Sequence, residues 1–318
     1  MKPILEKNNT KNNLKIAIQR LLKGDLVIIP TETVYGIGAD ATNNWAVKKI
    51  FHIKNRPFNN PIICHFENLE KIYEHAELNS TALKLAKAFW PGPLTLILKK
   101  RKVSKISPFV SNNIDMIGCR IPNHPIAIKI LKNLNRPIAA PSANISTKLS
   151  STSIEHMDDK LKKNVFIVNG GVCDFGLEST VISVNNNKPK ILRYGSITEE
   201  EIKNIISGIN SDDFKNTKPL SPGLQNKHYS PNIPIRINVI EVADGEALLN
   251  FGSNQLFSNT YELNLSPSAN LREAARKFFD YLHKLDRSEY KGIAVAPIPN
   301  FGLGKTMNDR LKRASSKK

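Results

Sequence analysis

The chain has 318 residues, 40% of them hydrophobic and 23% charged, and its formal net charge is +18 at pH 7. Its length favours two domains of ordinary globular composition, and the lack of any apolar run near the roughly 18–20 residues of a membrane span excludes a membrane-spanning protein. The positive charge favours anionic partners such as nucleotides or RNA, although a genome-wide bias toward Lys, Asn and Ile explains it equally well.

Predicted strands and helices are mixed along the first 209 residues. Short apolar runs bounded by Gly or Pro predict buried strands, and apolar residues spaced by three or four predict helices. Predicted strands lie at 24–30, 61–66, 94–100, 116–122, 136–144, 165–171, 179–184 and 189–195, and predicted helices at 14–23, 80–90, 125–134 and 198–207. A further helix begins after Asn43 or Asn44 and ends before Pro57. Mixed strands and helices predict an α/β fold.

Three segments of this region have other predicted structures. Residues 1–12 are predicted to be a flexible tail, and "TETVYGIGAD" over 31–40 a loop. Thr152 and Glu155 have capping-box spacing, which predicts a short helix that starts directly after Thr152.

The stretch 210–234 differs from its surroundings, because it contains four prolines and almost no aliphatic periodicity. It is predicted to be a linker. Beyond it, strands are predicted at 234–240, 261–265 and 292–298, with helices at 270–285 and 304–314. The predicted organisation is therefore a larger domain over 1–209, a linker over 210–234 and a smaller α/β domain over 235–318.

The cysteines predict a reducing compartment. Cys64, Cys119 and Cys173 lie far apart and form no CxxC pair, which argues against a zinc ribbon or a redox motif. The N-terminal segment lacks the apolar core of a signal peptide. We therefore expect a cytoplasmic protein.

One near-match to a phosphate-binding loop occurs at 299–306. "PNFGLGKT" ends in G-K-T between a predicted strand and a predicted helix, but Pro299 stands where the pattern needs its first glycine. A glycine-rich turn that leads into a helix is the favoured interpretation.

Polar residues recur where predicted strands end, and ligands of open α/β sheets bind at such ends. Lys54 and Arg56 stand one residue apart at a helix end, where two cations either complement the helix dipole or bind phosphate. Each strand-end residue alone has an ordinary structural explanation, but their repetition at the ends of strands indicates a binding site. The set is Thr31, Thr33, Tyr35, His65, Arg120, Ser142, Asn144, Ser179, Thr180 and Arg193.

Five ordered blocks resemble the YrdC-like domain: "PTETVYGIGADA", "KNRPFNNPIICHF", "PGPLTLIL", "CRIPNHP" and "APSANIS". Lys54 and Arg56 with Ser142 and Asn144 resemble the KxR…SxN signature of that family. The later segments "SPGLQNKHYSP" and "IAVAPIPNFGLGKTMNDRLKRA" resemble the long form of the threonylcarbamoyl-AMP synthase family. The resemblance implies a twisted mixed sheet with flanking helices, followed by a smaller Rossmann-like α/β domain.

The resemblance also implies a reaction, in which L-threonine, bicarbonate and ATP give threonylcarbamoyl-AMP and pyrophosphate. Such chemistry joins anions and needs cations and Mg²⁺ more than a nucleophilic side chain. Lys54 and Arg56 would be catalytic. The implied ATP-binding residues are Lys54, Arg56, Asn60, Ser142, Asn144, Ser150, Arg193 and Tyr229, and the implied threonine-binding residues are Thr33, His65, Arg120, Ala140 and Ser179. Mg²⁺ would be held mainly by the ATP phosphates, and the linker with His228 and Tyr229 would cover the site.

The implied product would pass to a tRNA threonylcarbamoyl-transferase complex, with weak tRNA binding as a further expectation and no membrane partner. Met116 departs from the family pattern, which has a small hydroxyl residue at that position. Two alternatives stay open: an RNA-binding module, and a carbamoyl transferase of hydrogenase maturation. The second normally carries zinc-finger cysteines and an acylphosphatase segment, which this sequence lacks.

Overall fold

The computed structural model describes residues 10–184, 189–209 and 228–316. Its N-terminal part is a twisted mixed sheet with flanking helices, which confirms the predicted fold class. The helices are α1 Thr10–Leu22, α2 Asn44–Lys54, α3 Leu69–Tyr73, α4 Ser80–Phe89, α5 Pro125–Leu134, α6 Asp159–Asn164 and α7 Glu199–Lys203. The strands are β1 Val27–Ile29, β2 Gly36–Asp40, β3 Ile63–His65, β4 Ala76–Glu77, β5 Leu94–Lys100, β6 Met116–Arg120, β7 Ile138–Ala139, β8 Phe166–Ile167, β9 Thr180–Ser183 and β10 Lys190–Arg193.

The strand order of this sheet is β10-β9-β5-β6-β3-β7-β2-β1-β8, and β4 pairs with β5 at the side. The pairs β3–β6, β5–β9 and β1–β8 are parallel, and the other pairs are antiparallel. Because β3 and β6 run parallel and in register, their last residues, His65 and Arg120, lie side by side. The sheet topology thus brings together polar residues that are 55 positions apart in the sequence.

The C-terminal part is a smaller α/β unit, as predicted. Its elements are β11 Ile235–Ile237, β12 Glu246–Asn250, β13 Glu262–Asn264, α8 Leu271–Leu285, β14 Gly292–Val295 and α9 Gly302–Ser315. Its four strands are all parallel, in the order β11-β14-β12-β13. Helix α8 buries Phe278, Phe279 and Leu282 against this sheet, because apolar residues recur along one of its faces.

Several contacts join the two parts. Nζ of Lys305 in α9 lies 2.7 Å from the Glu199 carboxylate in α7, and the Thr306 hydroxyl donates to the Gly195 carbonyl at 3.0 Å. Two residues of the G-K-T run therefore contact the larger domain. Gly176 has a φ of +71°, and a Cβ there would lie 2.4 Å from the Ala275 carbonyl oxygen, so only glycine fits this close approach to α8.

Three local predictions were wrong. Helix α1 begins at Thr10, so residues 10–12 are not a tail; Asn13 is buried one turn before Ala17 and extends the packed face. Part of the predicted 31–40 loop is strand β2. No helix follows Thr152, because its hydroxyl pairs with Nδ1 of His156 at 3.2 Å. Helix α6 starts instead at Asp159, with Asp158 as its cap.

Strands β4 and β12 and helix α3 were not predicted at all. The predictions for 1–9 and for 210–227 lie outside the described residues. Among the helices of the described ranges, none has the length and apolarity that a membrane crossing requires.

Candidate active site

Lys54 is the last residue of α2, and its side chain is 1% exposed. Its Nζ donates to the carbonyl of Ser142 at 2.5 Å and to the carbonyl of Asn144. Its own carbonyl accepts from the Ser146 amide at 2.8 Å. Burial and the nearby Arg56 lower the pKa of Lys54. Lys54 thus fastens the end of α2 to the loop over 142–146.

Arg56 follows Asn55, which ends α2 in a left-handed conformation with φ of 50°. Its Nε donates to the Asn60 carbonyl at 3.1 Å and its Nη2 to the Pro61 carbonyl at 2.7 Å. These bonds fix the guanidinium at the wall of a cleft. Burial, with the charge of Arg193, lowers the pKa of Arg56 to about 9. Two cations in one buried wall form a region that favours an anion.

Arg193 ends β10 and donates to Ser179, from Nη2 to the carbonyl at 2.8 Å and to the hydroxyl at 3.0 Å. Burial lowers the pKa of Arg193 as well. Across the described ranges, no carboxylate forms an ion pair with Lys54 or Arg56, whose side chains are held by backbone carbonyls. This end of the cleft therefore carries more buried positive than negative charge.

The other end of the cleft contains Thr33, His65 and Arg120. Nη1 of Arg120 donates to the Thr33 hydroxyl at 2.9 Å, and Nε donates to the Gly92 carbonyl at 3.2 Å. Nη2 of Arg120 lies 2.7 Å from Oε1 of Glu32, but the two groups are not aligned for a hydrogen bond. Burial and the Arg120 charge lower the pKa of His65 to about 3, so its imidazole is neutral at neutral pH.

Several polar atoms at this end lack an aligned hydrogen bond. Within the part of the chain that the structure describes, they are Nδ1 of His65, Nη2 of Arg120 and both carboxylate oxygens of Glu32. Nη2 of Arg120 and Oε1 of Glu32 still face each other as a buried ion pair. Buried polar atoms form hydrogen bonds in the great majority of cases, so Nδ1 of His65 in the cleft lining indicates a place for a polar ligand.

Most of the predicted site residues line this single cleft, although they come from distant parts of the sequence. They are Thr33, Arg56, His65, Arg120, Ala140, Ser142, Ser179, Arg193 and Tyr229. The free volume inside is only about 40 Å³, whereas ligand pockets typically measure roughly 300–1,000 Å³. His228 and Tyr229 are also part of the lining, and both are buried. A ligand of nucleotide size does not fit the cleft in this conformation.

Four predicted site residues lie behind the wall. Lys54 holds the 142–146 loop, as described above. The Asn144 amide donates to the carbonyls of Ile145 and Lys148, at 2.9 and 2.8 Å, and its oxygen accepts from the Ser142 hydroxyl. The Ser150 hydroxyl donates to Glu178 at 2.6 Å. Asn60 supports Arg56 through its carbonyl, and its side-chain oxygen is buried without a partner in the described chain.

The sequence predictions missed Glu32, Glu178 and Arg310. Glu178 lines the cleft, and Nε of Arg310 in α9 donates to its Oε2 at 3.1 Å. A signal for Arg310 exists in the sequence, because it lies three residues after Met307 and four before Ala314. That spacing places a charged residue on the buried face of the final helix.

Two further expectations concern residues away from the cleft. Met116 lies at the opposite end of β6 from Arg120 and packs with Ile97, Val181 and Leu192. Its departure from the family pattern therefore leaves the cleft lining unchanged. In the described ranges, no group of three or more His, Cys, Asp or Glu side chains is arranged to hold a metal ion.

Comparisons with known proteins identify the family of this chain. A family model described as "Telomere recombination" matches residues 19–195, and one described as "Threonylcarbamoyl-AMP synthase, C-terminal domain" matches 197–316. The threonylcarbamoyl-AMP synthase of Bacillus subtilis is 35% identical over 314 residues, covering 93% of this chain and 90% of the relative. That of Pyrococcus abyssi is 35% identical over 320 residues, covering 95% and 94%.

A solved structure is also similar over nearly the whole length. The crystal structure of P. abyssi Sua5 complexed with L-threonine matches with a TM-score of 0.84 and 34% identity, covering 95% of this chain and 94% of that one. Both domains of this chain are matched by family models, and relatives cover almost all of it. The chain therefore belongs to the threonylcarbamoyl-AMP synthase family, in the form that carries both domains.

Proposed function

We propose that this protein is an L-threonylcarbamoyladenylate synthase, which converts L-threonine, bicarbonate and ATP into threonylcarbamoyl-AMP and pyrophosphate. The observation that carries the proposal is the two-ended cleft. One end presents the buried cations Arg56 and Arg193, and the other presents the Arg120 guanidinium and Nδ1 of His65, which has no hydrogen-bond partner in the described chain. A triphosphate and an amino acid are the two ligand types that these ends suit, and both would bind in the same cleft.

The threonine end would bind the amino acid by charge and hydrogen bonds. Arg120 would meet the threonine carboxylate through Nη2, which the Glu32 carboxylate faces at 2.7 Å without an aligned hydrogen bond. Thr33, Ser179 and the backbone at Ala140 would contact the rest of the amino acid. Neutral His65 leaves the positive charge at this end to Arg120, so the carboxylate is oriented by one guanidinium.

The nucleotide end would stabilise the charge of the phosphates. Threonine's amine would take up bicarbonate-derived carbon dioxide to form a carbamate, whose oxygen would attack the α-phosphorus and displace pyrophosphate. Both reactants are anionic, so positioning and electrostatic stabilisation supply the catalysis. Arg56 and Arg193 would contact phosphate, and Ser142 would contact the nucleotide. Lys54, Asn144 and Ser150 would act by holding the wall.

Mg²⁺ would arrive with ATP. Among the described residues, no group of three or more His, Cys, Asp or Glu side chains is arranged as a metal cage. Mg²⁺ readily keeps waters and phosphate oxygens as ligands, so a site without its own carboxylate cluster fits MgATP as the substrate.

His228 and Tyr229 would cover the reacting groups. Both are buried, at 8% and 1% exposure, and both belong to the cleft lining. A mixed anhydride such as threonylcarbamoyl-AMP is hydrolysed by water, so a cover protects the product until release. The adenylate would then serve the downstream tRNA threonylcarbamoyl-transferase complex, and weak tRNA binding by this basic chain is a further proposal.

The test is pyrophosphate release by the purified full-length protein. Pyrophosphate release is expected only when ATP, threonine and bicarbonate are all present. Replacing threonine by serine, or omitting bicarbonate, should lower the release strongly. Release that does not depend on threonine would contradict the proposal. Nucleic-acid binding with no substrate-dependent release would favour the RNA-binding alternative.

A further inference from the structure

Arg310 is a fully buried charge in α9, with 0% of its surface exposed. Its guanidinium contacts both halves of the molecule. Nε donates to Glu178 at 3.1 Å, Nη2 donates to the Tyr194 carbonyl at 2.6 Å, and Nη1 contacts the neighbouring Asp309. The guanidinium carbon lies 4.8 Å from the centre of the Tyr229 ring. Two of these partners, Glu178 and Tyr229, line the cleft.

Glu178 is the one carboxylate among the described lining residues of the cleft, and it lines it together with Arg56 and Arg193. Its side chain is held at both oxygens, since Oε1 accepts from Ser150 at 2.6 Å and Oε2 accepts from Arg310. Burial lowers the pKa of Arg193, and the Glu178 charge partly offsets this effect by raising it. The two charges therefore act on each other. A buried carboxylate of this kind competes with phosphate for the same cations.

Arg310 supplies the positive charge that lies directly beside Glu178. Burial opposes the Arg310 charge, but Tyr229, Glu178 and Asp309 outweigh burial and raise its pKa overall. Its cation is therefore permanently present beside Glu178. A carboxylate that is already neutralised by one guanidinium attracts a second cation less strongly.

We propose that Arg310 is a positioning residue that binds the Glu178 carboxylate and thereby limits the competition of that carboxylate with the ATP phosphates for Arg193. The C-terminal domain would act in this way on substrate affinity in the other domain. This inference rests on the proposed function, because it takes ATP as the ligand of Arg193.

A purely structural role for Arg310 makes a different prediction. The same helix already carries Lys305, which pairs with Glu199 at 2.7 Å and joins the two parts without contacting the described cleft lining. If Arg310 only joined the domains, its loss would resemble the loss of Lys305. Lys305→Gln is therefore the matched control, with an ion pair of the same helix removed.

The experiment measures the KM for ATP and for threonine by pyrophosphate release, for Arg310→Gln, Glu178→Gln, the double variant and Lys305→Gln. We expect Arg310→Gln to raise the KM for ATP about tenfold or more, because it frees a buried carboxylate beside the phosphate site. The KM for threonine and the kcat should change less than about threefold. In the Glu178→Gln background the same Arg310 substitution should change the KM for ATP less than about threefold.

Two results would overturn the proposal. One is an unchanged KM for ATP in Arg310→Gln. The other is a rise in the KM for ATP on Arg310→Gln that is equally large in the wild-type and Glu178→Gln backgrounds, which would mean that Arg310 does not act through Glu178. If Arg310→Gln is insoluble, Arg310→Lys replaces it. Arg310→Lys should raise the KM for ATP a few-fold when residue 178 is Glu, and should leave it unchanged in the Glu178→Gln background. A wild-type protein without threonine-dependent release would instead refute the proposed function itself, so the two failures are distinct.

Discussion

Replacing Lys54 by Met removes the amine that joins the end of α2 to the 142–146 loop and keeps most of the side chain's volume. Two carbonyls lose a donor. The Asn144 carbonyl is left without its Lys54 hydrogen bond in a buried position, which costs about 1–3 kcal/mol. The Ser142 carbonyl still accepts from the backbone N–H of Asn144 at 3.0 Å, so losing the Lys54 hydrogen bond costs less free energy there. The expected loss of unfolding free energy is about 2–3 kcal/mol in total.

Urea unfolding and pyrophosphate release test this expectation together. Because Ser142 lines the cleft on the loop that Lys54 holds, we expect kcat/KM for ATP to fall at least about tenfold along with stability. The control is Lys49→Met, since Lys49 pairs with Asp25 at 3.2 Å on the surface, where such a pair contributes about 0–1 kcal/mol. Lost activity with unfolding free energy unchanged would refute the loop-holding role and favour direct contact between Lys54 and phosphate.

Three further predictions concern the cleft itself. Arg56→Ala should lower turnover at least about tenfold while the protein stays folded by circular dichroism, whereas the surface variant Arg101→Ala should not; unchanged activity would make Arg56 only a helix-end cation. Arg120→Lys should raise the KM for threonine about tenfold and change that for ATP little, because a lysine cannot keep the hydrogen bonds to Thr33 and Gly92 and also reach the carboxylate; equal rises would contradict the assignment of the two ends. His65 has a folded pKa of about 3 against an ordinary value near 6.5, so the unfolded chain binds its proton first and stability falls as the pH drops through that window. The urea midpoint of His65→Gln should therefore depend less on pH between about pH 7 and pH 4 than that of the wild type, and parallel curves would contradict the pKa shift.

Periodicity predicted most of the elements because their apolar faces are regular, and it failed where another interaction decides. "GIGAD" was predicted to be a loop from its glycines, yet it forms β2. The reason lies in the neighbouring strand, since a Cβ at Gly38 would lie 2.9 Å from the Ile138 side chain. A sequence pattern does not contain that contact. The same holds for Thr152, whose hydroxyl pairs with His156 instead of capping a helix.

The site was predicted in part for a related reason. Polar residues at strand ends indicated the cleft, because parallel strands such as β3 and β6 bring their last residues together. Glu178 and Arg310 were missed, since their pairing joins positions 132 residues apart across two domains. Local spacing indicated that Arg310 is buried but not what it contacts. Lys54 was predicted to contact phosphate, whereas its contacts here are backbone carbonyls.

The most direct test of the proposed synthesis is the fate of labelled bicarbonate. The full-length protein would be incubated with ATP, threonine and ¹³C-bicarbonate, quenched quickly, and analysed by mass spectrometry. We expect a threonylcarbamoyl-adenylate that carries the heavy carbon, formed in step with pyrophosphate. Pyrophosphate release without a labelled adenylate, or an adenylate that contains threonine but no carbon from bicarbonate, would contradict the account.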